Sequence, residues 1–170
     1  MKITFIMVGK TGERYLSEGT SLYEQRLRHY ISFESITLDV PRTIKSSASA
    51  DVRSNEARLI LRHLQPDDHV ILLDEAGTQL SSVELASHLQ RLMNSGIRNC
   101  VFVSGGPFGF DQAVVDRAND SLSLSRLTFT HQMVRLIFTE QLYRAMTILR
   151  NEKYHHDERR EERGERRKEK

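Results

Sequence analysis

The chain has 170 residues, of which 25 are Lys or Arg and 23 are Asp or Glu, so its formal net charge is only +2. This length predicts one domain with its own core plus a short appendage, and the small charge permits a nucleic-acid partner without indicating one. The single cysteine, Cys100, excludes an intrachain disulfide framework or a thiolate metal cluster. No segment approaches the ~20 apolar residues of a membrane span, and no signal peptide is apparent. We therefore expect a cytoplasmic protein without a membrane partner.

The first half of the chain alternates strand-like and helix-like patterns. Residues 3–8 form an apolar run rich in β-formers, and helical spacing follows over residues 13–30, interrupted near Gly19. A second strand is predicted over residues 33–40, before a loop of 42–50 that is either a substrate-contacting flap or an ordinary surface loop. Asp51 is then expected to cap a helix that runs to residue 64.

The second half continues the alternation. An apolar run at residues 70–73 predicts a strand buried on both faces, and Ser81 with Glu84 forms a capping-box pattern for a helix to residue 93. A strand at 101–103 leads into a glycine turn, after which Asp111 is expected to cap a short helix. Residues 121–130 suggest a short strand and an irregular segment, and a helix over 131–149 follows. The pattern predicts a mostly parallel α/β sheet with helices on both faces.

The glycine turn Ser104-Gly105-Gly106-Pro107 is the first candidate site. Two adjacent glycines permit positive φ and let a ligand approach the main chain, although a simple strand-to-helix turn explains them equally well. The turn matches neither the G-x-G-x-x-G fingerprint nor the phosphate loop. Ligands of open α/β sheets bind beyond the carboxyl ends of the strands. That edge would gather Leu73-Asp74, Gly105-Gly106 and the loop of residues 125–130 into one crevice.

Two further groups carry side chains suited to chemistry. His131 and Arg135 share one face at the start of the last helix and form a candidate anion site, unless the arginine pairs with a local carboxylate. Tyr154-His155-His156 combines a ring that can stack on a base with side chains that exchange protons near neutral pH. The alternatives for this segment are a disordered tail or weak metal ligands. The last helix is apolar around most of its circumference, which requires a second buried face within the domain or against another subunit.

Four motifs taken together resemble one family. The GGP turn, the segment SRLTFTHQMVR, the stretch EQLYRAMTI and the closing KYHH are similar to those of the ribosomal RNA large subunit methyltransferase H family, pseudouridine N3-methyltransferases of the SPOUT class. The resemblance covers residues 1–156 in order and implies one methyltransferase domain. Residues 157–170, with seven bases and six acids, then form a charged extension beyond the usual end of family chains.

The resemblance implies a deep trefoil knot in the C-terminal part of the domain, S-adenosylmethionine as cofactor, no metal, and a homodimer that acts on large-subunit ribosomal RNA in assembled ribosomes. The family's catalytic residues correspond to Tyr154, His155 and Arg135, while His131, Arg135 and His156 are expected to contact substrate. Cofactor contacts correspond to these residues: Leu73, Gly105, Gly106, Ser125, Arg126, Leu127, Thr128, Phe129 and Thr130. The chain departs from the family at Thr130, where a proline is common, and at Phe108, where a glutamate is common.

The expected reaction is methyl transfer to N3 of a pseudouridine in 23S ribosomal RNA. His155 would accept the N3 proton, Arg135 would stabilise charge on a ring carbonyl or hold a phosphate, and Tyr154 would stack on the target base. Two rival functions stay open from the sequence. One is a nucleotide-dependent oxidoreductase that uses the glycine turn, and the other is a non-enzymatic ribosome-associated or assembly factor that uses the charged tail.

Overall fold

The computed structural model describes residues 1–41 and 48–154, and within them five strands alternate with five helices. The elements in chain order are β1 Lys2–Val8, α1 Arg14–Leu27, β2 Ser32–Leu38, α2 Ser49–His63, β3 His69–Gln79, α3 Ser82–Asn94, β4 Asn99–Ser104, α4 Gln112–Arg117, β5 Asp120–Ser123 and α5 His131–Leu149. No helix in these ranges is long and apolar enough to span a bilayer.

The five strands form one parallel sheet in the order β2-β1-β4-β3-β5. Because successive strand residues point to opposite faces, each central strand contributes to two cores. In β1, Phe5 and Met7 pack with α1, α3 and α5, whereas Ile6 and Val8 pack with α2 and α4. The predicted parallel α/β sheet with helices on both faces is confirmed.

The pairing register brings three strand ends together. Leu73 of β3 lies opposite Ser104 of β4, and it also lies opposite Leu122 of β5. The residues that follow these positions therefore emerge next to one another at the carboxyl edge of the sheet. This is the edge at which the sequence predicted a crevice.

Strand β3 is longer than predicted, because it continues past Leu73 to Gln79. Leu122 of β5 pairs first with Leu73 and then with Thr78, so the residues between them form an irregularity in β3. Within it, a Cβ on Gly77 would lie 2.7 Å from the main-chain N and C of Leu122. Gly77 is thus a glycine because another stretch of backbone occupies the space of a side chain. The trefoil knot that the family resemblance implies stays a prediction.

Helix starts were predicted with mixed success. The capping box of Ser81 and Glu84 is present, and the Asp111 side chain accepts a hydrogen bond from the Ala113 N–H. The prediction for Asp51 was wrong, because α2 begins at Ser49 and Asp51 lies in its first turn.

The predicted break of the first helix at Gly19 was also wrong. Helix α1 runs through it, and the missing side chain leaves room for Leu136 of α5, whose Cδ1 would lie 2.9 Å from a Cβ. Of the loop predicted at residues 42–50, the part 42–47, with the two basic residues Arg42 and Lys45, lies outside the described residues.

The contact at Gly77 gives a prediction about stability. Gly77→Ala would force a methyl group into the main chain of Leu122, and overpacking of this kind costs about 1–3 kcal/mol. Gly12→Ala is a matched control, because the nearest atom to its Cβ would be 3.8 Å away at the end of Gln132. We expect urea unfolding at one protein concentration to show a clear loss for Gly77→Ala and a change within about 0.5 kcal/mol for Gly12→Ala. Equal stability of the two variants would contradict the assigned backbone contact.

Candidate functional site

A cavity of about 420 Å³ opens at the carboxyl edge of the sheet, where β3, β4 and β5 end. Its walls come from three loops and the start of α5. The lining residues are Leu73, Asp74, Glu75, the run 104–110, the run 122–125, Leu127, Thr128, Phe129, His131 and Val134. The crevice predicted from strand ends is therefore present, and residues from all three of the expected segments line it.

The glycine turn forms one wall, but for a reason different from the one expected. Positive φ occurs at Gly109, at +74°, and not at Gly105 or Gly106. A Cβ on Gly106 would overlap the carboxylate of Glu56, a buried residue of α2, and a Cβ on Gly105 would lie 3.1 Å from the Phe110 ring. The two glycines thus let the protein's own side chains pack behind the turn. This packing fixes the position of the turn's main chain against the cavity.

The loop between β5 and α5 forms the opposite wall and is held by its own hydroxyl groups. The Ser123 hydroxyl donates to the Ser125 carbonyl at 3.0 Å, and the Ser125 hydroxyl accepts from the Leu127 N–H at 2.9 Å. Thr130 is the N-cap of α5 and accepts from the Met133 N–H at 3.2 Å. The Thr130 side chain therefore caps the helix.

Most of the predicted cofactor contacts meet in this cavity. The residues that line it are Leu73, Gly105, Gly106, Ser125, Leu127, Thr128 and Phe129, whereas Arg126 and Thr130 are not among the lining residues. His131, predicted to contact substrate, also lines it. Sequence reasoning missed Phe110 and Val134 as lining residues and treated Phe108 only as a departure from the family. An apolar residue just after a turn, or within a helix, carries no local signal that it lines a cavity.

Arg135 lies behind the cavity wall and is completely buried. Its guanidinium donates to the Val8 carbonyl at 2.6 Å and to the Thr11 hydroxyl at 2.8 Å. Neighbouring Gln132 accepts from the Gly12 N–H at 2.8 Å. Desolvation lowers the pKa of Arg135, yet an arginine stays charged at neutral pH. In this arrangement Arg135 connects the start of α5 to the end of β1, and its catalytic role stays a prediction.

Tyr154 lies against the second half of α5. Its ring packs edge-on to Tyr143, with centroids 4.8 Å apart, and the Arg144 guanidinium lies 4.9 Å from its centroid. The hydroxyl donates to Glu140 at 3.1 Å and shares a hydrogen bond with Tyr23 at 3.4 Å. Burial and these hydrogen bonds raise the pKa of Tyr154, so the phenol is protonated at neutral pH. His155 and His156 lie outside the described residues.

The contacts of Arg135 predict a role in stability. Arg135→Met keeps the apolar stem but removes both donors, and an unsatisfied buried carbonyl costs about 1–3 kcal/mol. Arg58→Met, at an exposed position of α2, is the control and should change stability by less than about 0.5 kcal/mol. Chemical unfolding measures both. Full stability of Arg135→Met would show that the guanidinium does not hold the fold together.

Comparison with known proteins identifies the family. The family model described as "Predicted SPOUT methyltransferase" matches residues 1–155. Proteins named "Ribosomal RNA large subunit methyltransferase H" from Parabacteroides distasonis and Porphyromonas gingivalis (strain ATCC 33277) are 46% and 48% identical over 157 residues, which is 92% of this chain and 100% of each relative. A protein of the same name from Cytophaga hutchinsonii is 46% identical over 156 residues, again 92% of this chain and all of the relative. The chain belongs to the SPOUT methyltransferase family.

Proposed function

We propose that this protein transfers a methyl group from S-adenosylmethionine to N3 of a pseudouridine in large-subunit ribosomal RNA. The observation that carries the proposal is the cavity lined by residues of three adjoining loops at the carboxyl edge of a SPOUT methyltransferase domain. The relatives' shared name supports ribosomal RNA as the acceptor. The pseudouridine and its N3 atom come from the family resemblance.

The cavity suits a nucleoside cofactor. Its volume of about 420 Å³ falls within the ~300–1,000 Å³ of small-molecule sites. Gly105 and Gly106 would hold the cofactor from one side and Ser125, Leu127 and Thr128 from the other, together with Leu73. S-adenosylmethionine, when bound, supplies an electrophilic methyl group on its sulfonium. The residues around it have the task of orienting the acceptor nitrogen and excluding water.

The N3 proton must leave during transfer, which requires a base. Tyr154 is a poor candidate, because its raised pKa keeps the phenol protonated. We assign the proton to His155, whose unperturbed pKa lies near neutrality. His156 and His131 stay as proposed contacts to the substrate, whereas Arg135, which is buried against Val8 and Thr11, would act on it only through the helix start that it holds.

The two halves of this proposed site lie apart within one chain. Val134 of α5 lines the cavity, whereas Glu140 and Arg144 of the same helix contact Tyr154. At 1.5 Å per residue, these contacts lie about 9–15 Å further along the helix. We therefore propose that residues 154–156 of one subunit, called the tail below, complete the cavity of its partner in a homodimer.

An apolar face next to the tail supports that homodimer. Tyr15 and Leu22 of α1 are 60% and 46% exposed, and Tyr23 on the same helix bonds Tyr154. Burying such side chains is the usual driving force of association. The low net charge argues against tight electrostatic binding of naked RNA. We therefore propose that recognition takes place on assembled ribosomes in the cytoplasm and uses both subunits.

The first test concerns His155. His155→Ala should lower methyl transfer from labelled S-adenosylmethionine to ribosomes that lack the mark by about 100-fold or more, since a general base contributes 10²–10⁴-fold. Cofactor affinity, measured by calorimetry, should stay nearly unchanged. His29→Ala, at an exposed position, serves as the control. Failure of the unaltered protein to methylate ribosomes would refute the proposed function, and unchanged turnover of His155→Ala would remove that residue from the mechanism.

A second test concerns the shared site. Gly106→Val displaces the glycine wall of the cavity, because its side chain would overlap the Glu56 carboxylate, and His155→Ala removes the base, so neither homodimer should be active. A mixed dimer, purified through two different tags, would hold one cavity with an intact partner tail. A two-fold dimer has two such sites, and only one of them is intact in the mixed dimer. The mixed dimer should therefore recover about half of the activity of the unaltered dimer. An inactive mixed dimer would show that each subunit uses its own tail.

A further inference from the structure

Phe108 stands at the tip of the tight turn that closes the glycine wall of the cavity. Gly106 and Gly109 form an isolated bridge across this turn, and the Gly109 N–H donates to the Gly106 carbonyl at 3.3 Å. The Phe108 ring lines the cavity and is nevertheless 47% exposed. A short hydrogen-bonded turn thus presents an aromatic ring at the cavity mouth.

The opposite side of the mouth is also apolar. Leu127 and Phe129 line the cavity while being 74% and 38% exposed. Arg126 lies between the lining residues Ser125 and Leu127, is exposed, and has no ion pair or hydrogen bond to a side chain among residues 1–41 and 48–154. Apolar rings beside an available cation are the combination that binds single-stranded RNA, through stacking on bases and contact with phosphates.

Tyr154 is a weaker candidate for base stacking than the sequence suggested. Its ring is already in contact with Tyr143 and Arg144, and its hydroxyl is bonded to Glu140. A base could stack on it only after these contacts are broken. The Phe108 ring has no aromatic or cationic partner among the described residues, so it offers a free face without that cost.

We propose that Phe108 stacks on a base of the RNA substrate at the cavity mouth, while Arg126 binds the neighbouring phosphate. This inference rests on the proposed function, because it names how the acceptor RNA is held at that same site. The acceptor must pass this rim to reach a methyl group held inside.

RNA explains the rim better than a second copy of the chain. In a two-fold interface centred on the rim, Arg126 would approach the Arg126 of the other copy, and like charges repel. Against RNA the same charge is attractive. The rim is therefore assigned to the nucleic acid, and self-association through it becomes an outcome of the test.

The experiment compares Phe108→Ala, Phe108→Leu and Phe108→Trp on ribosomes that lack the mark. Loss of one base stack should lower kcat/KM about 5- to 150-fold in Phe108→Ala, with Phe108→Leu in between and Phe108→Trp within about threefold of the unaltered protein. Cofactor affinity by calorimetry should stay the same in all three. Val115→Ala, at a 45% exposed position of α4 outside the cavity, is the control and should be fully active.

Arg126→Gln tests the phosphate contact separately. It should weaken ribosome binding in a sedimentation assay and reduce the steepness of its salt dependence by about one charge. Phe108→Ala should weaken the same binding without changing the salt dependence. The two variants thus distinguish stacking from charge.

Several results would overturn the inference. Unchanged kcat/KM in Phe108→Ala would exclude stacking, loss of cofactor affinity would assign the ring to the cofactor, and a changed oligomeric state would assign the rim to a second copy. If the unaltered protein does not methylate ribosomes, the proposed function fails. The proposed contact of Phe108 with RNA is then tested by the sedimentation assay alone. Binding that depends on Phe108 would then support the inference, and binding that ignores Phe108 would overturn it.

Discussion

The contact between Gly77 and the main chain of Leu122 is the constraint on which the site depends. No side chain fits between Gly77 and the main chain of Leu122, so β5 is held directly against the irregular part of β3. This contact fixes where β5 ends and therefore where the loop to α5 begins. That loop is one wall of the cavity, and the glycine turn after β4 is the wall opposite. A small displacement at Gly77 would move one wall relative to the other.

Helix α5 connects the remaining parts of the site. Its first turns carry His131 and Val134 at the cavity, and its middle buries Phe138 between Phe5 and Phe102, with ring centroids 4.8 and 4.7 Å apart. Two residues after Phe138, Glu140 accepts a hydrogen bond from the Tyr154 hydroxyl. Because the aromatic packing of Phe138 prevents the helix from sliding, the start of α5 and Tyr154 keep a fixed separation. One rigid element thus sets the distance between the cavity and the segment that is proposed to serve a partner.

Much of this could be predicted from the sequence, because local patterns determined it. Apolar runs gave the parallel strands, the pair Ser81 and Glu84 gave a helix start, and the rule for strand ends gave the position of the cavity. The reasons for individual glycines could not be predicted, since they depend on contacts between distant segments: Gly19 with Leu136, Gly77 with Leu122, and Gly106 with Glu56. Arg135 shows the same limit, because its spacing from His131 suggested an anion site, whereas the fold places its guanidinium against Val8 and Thr11.

The pairing of the sheet has a consequence for the synthesis of the protein. Strand β1 lies between β2 and β4, and its pairing with β4 places Lys2 opposite Asn99. The cavity is also lined by residues of α5, which is the last helix described. Until β4 is made, a chain emerging during translation therefore has one edge of the strongly apolar strand β1 unpaired, and until α5 is made the cavity lacks part of its lining. The nascent chain stays exposed to aggregation until then.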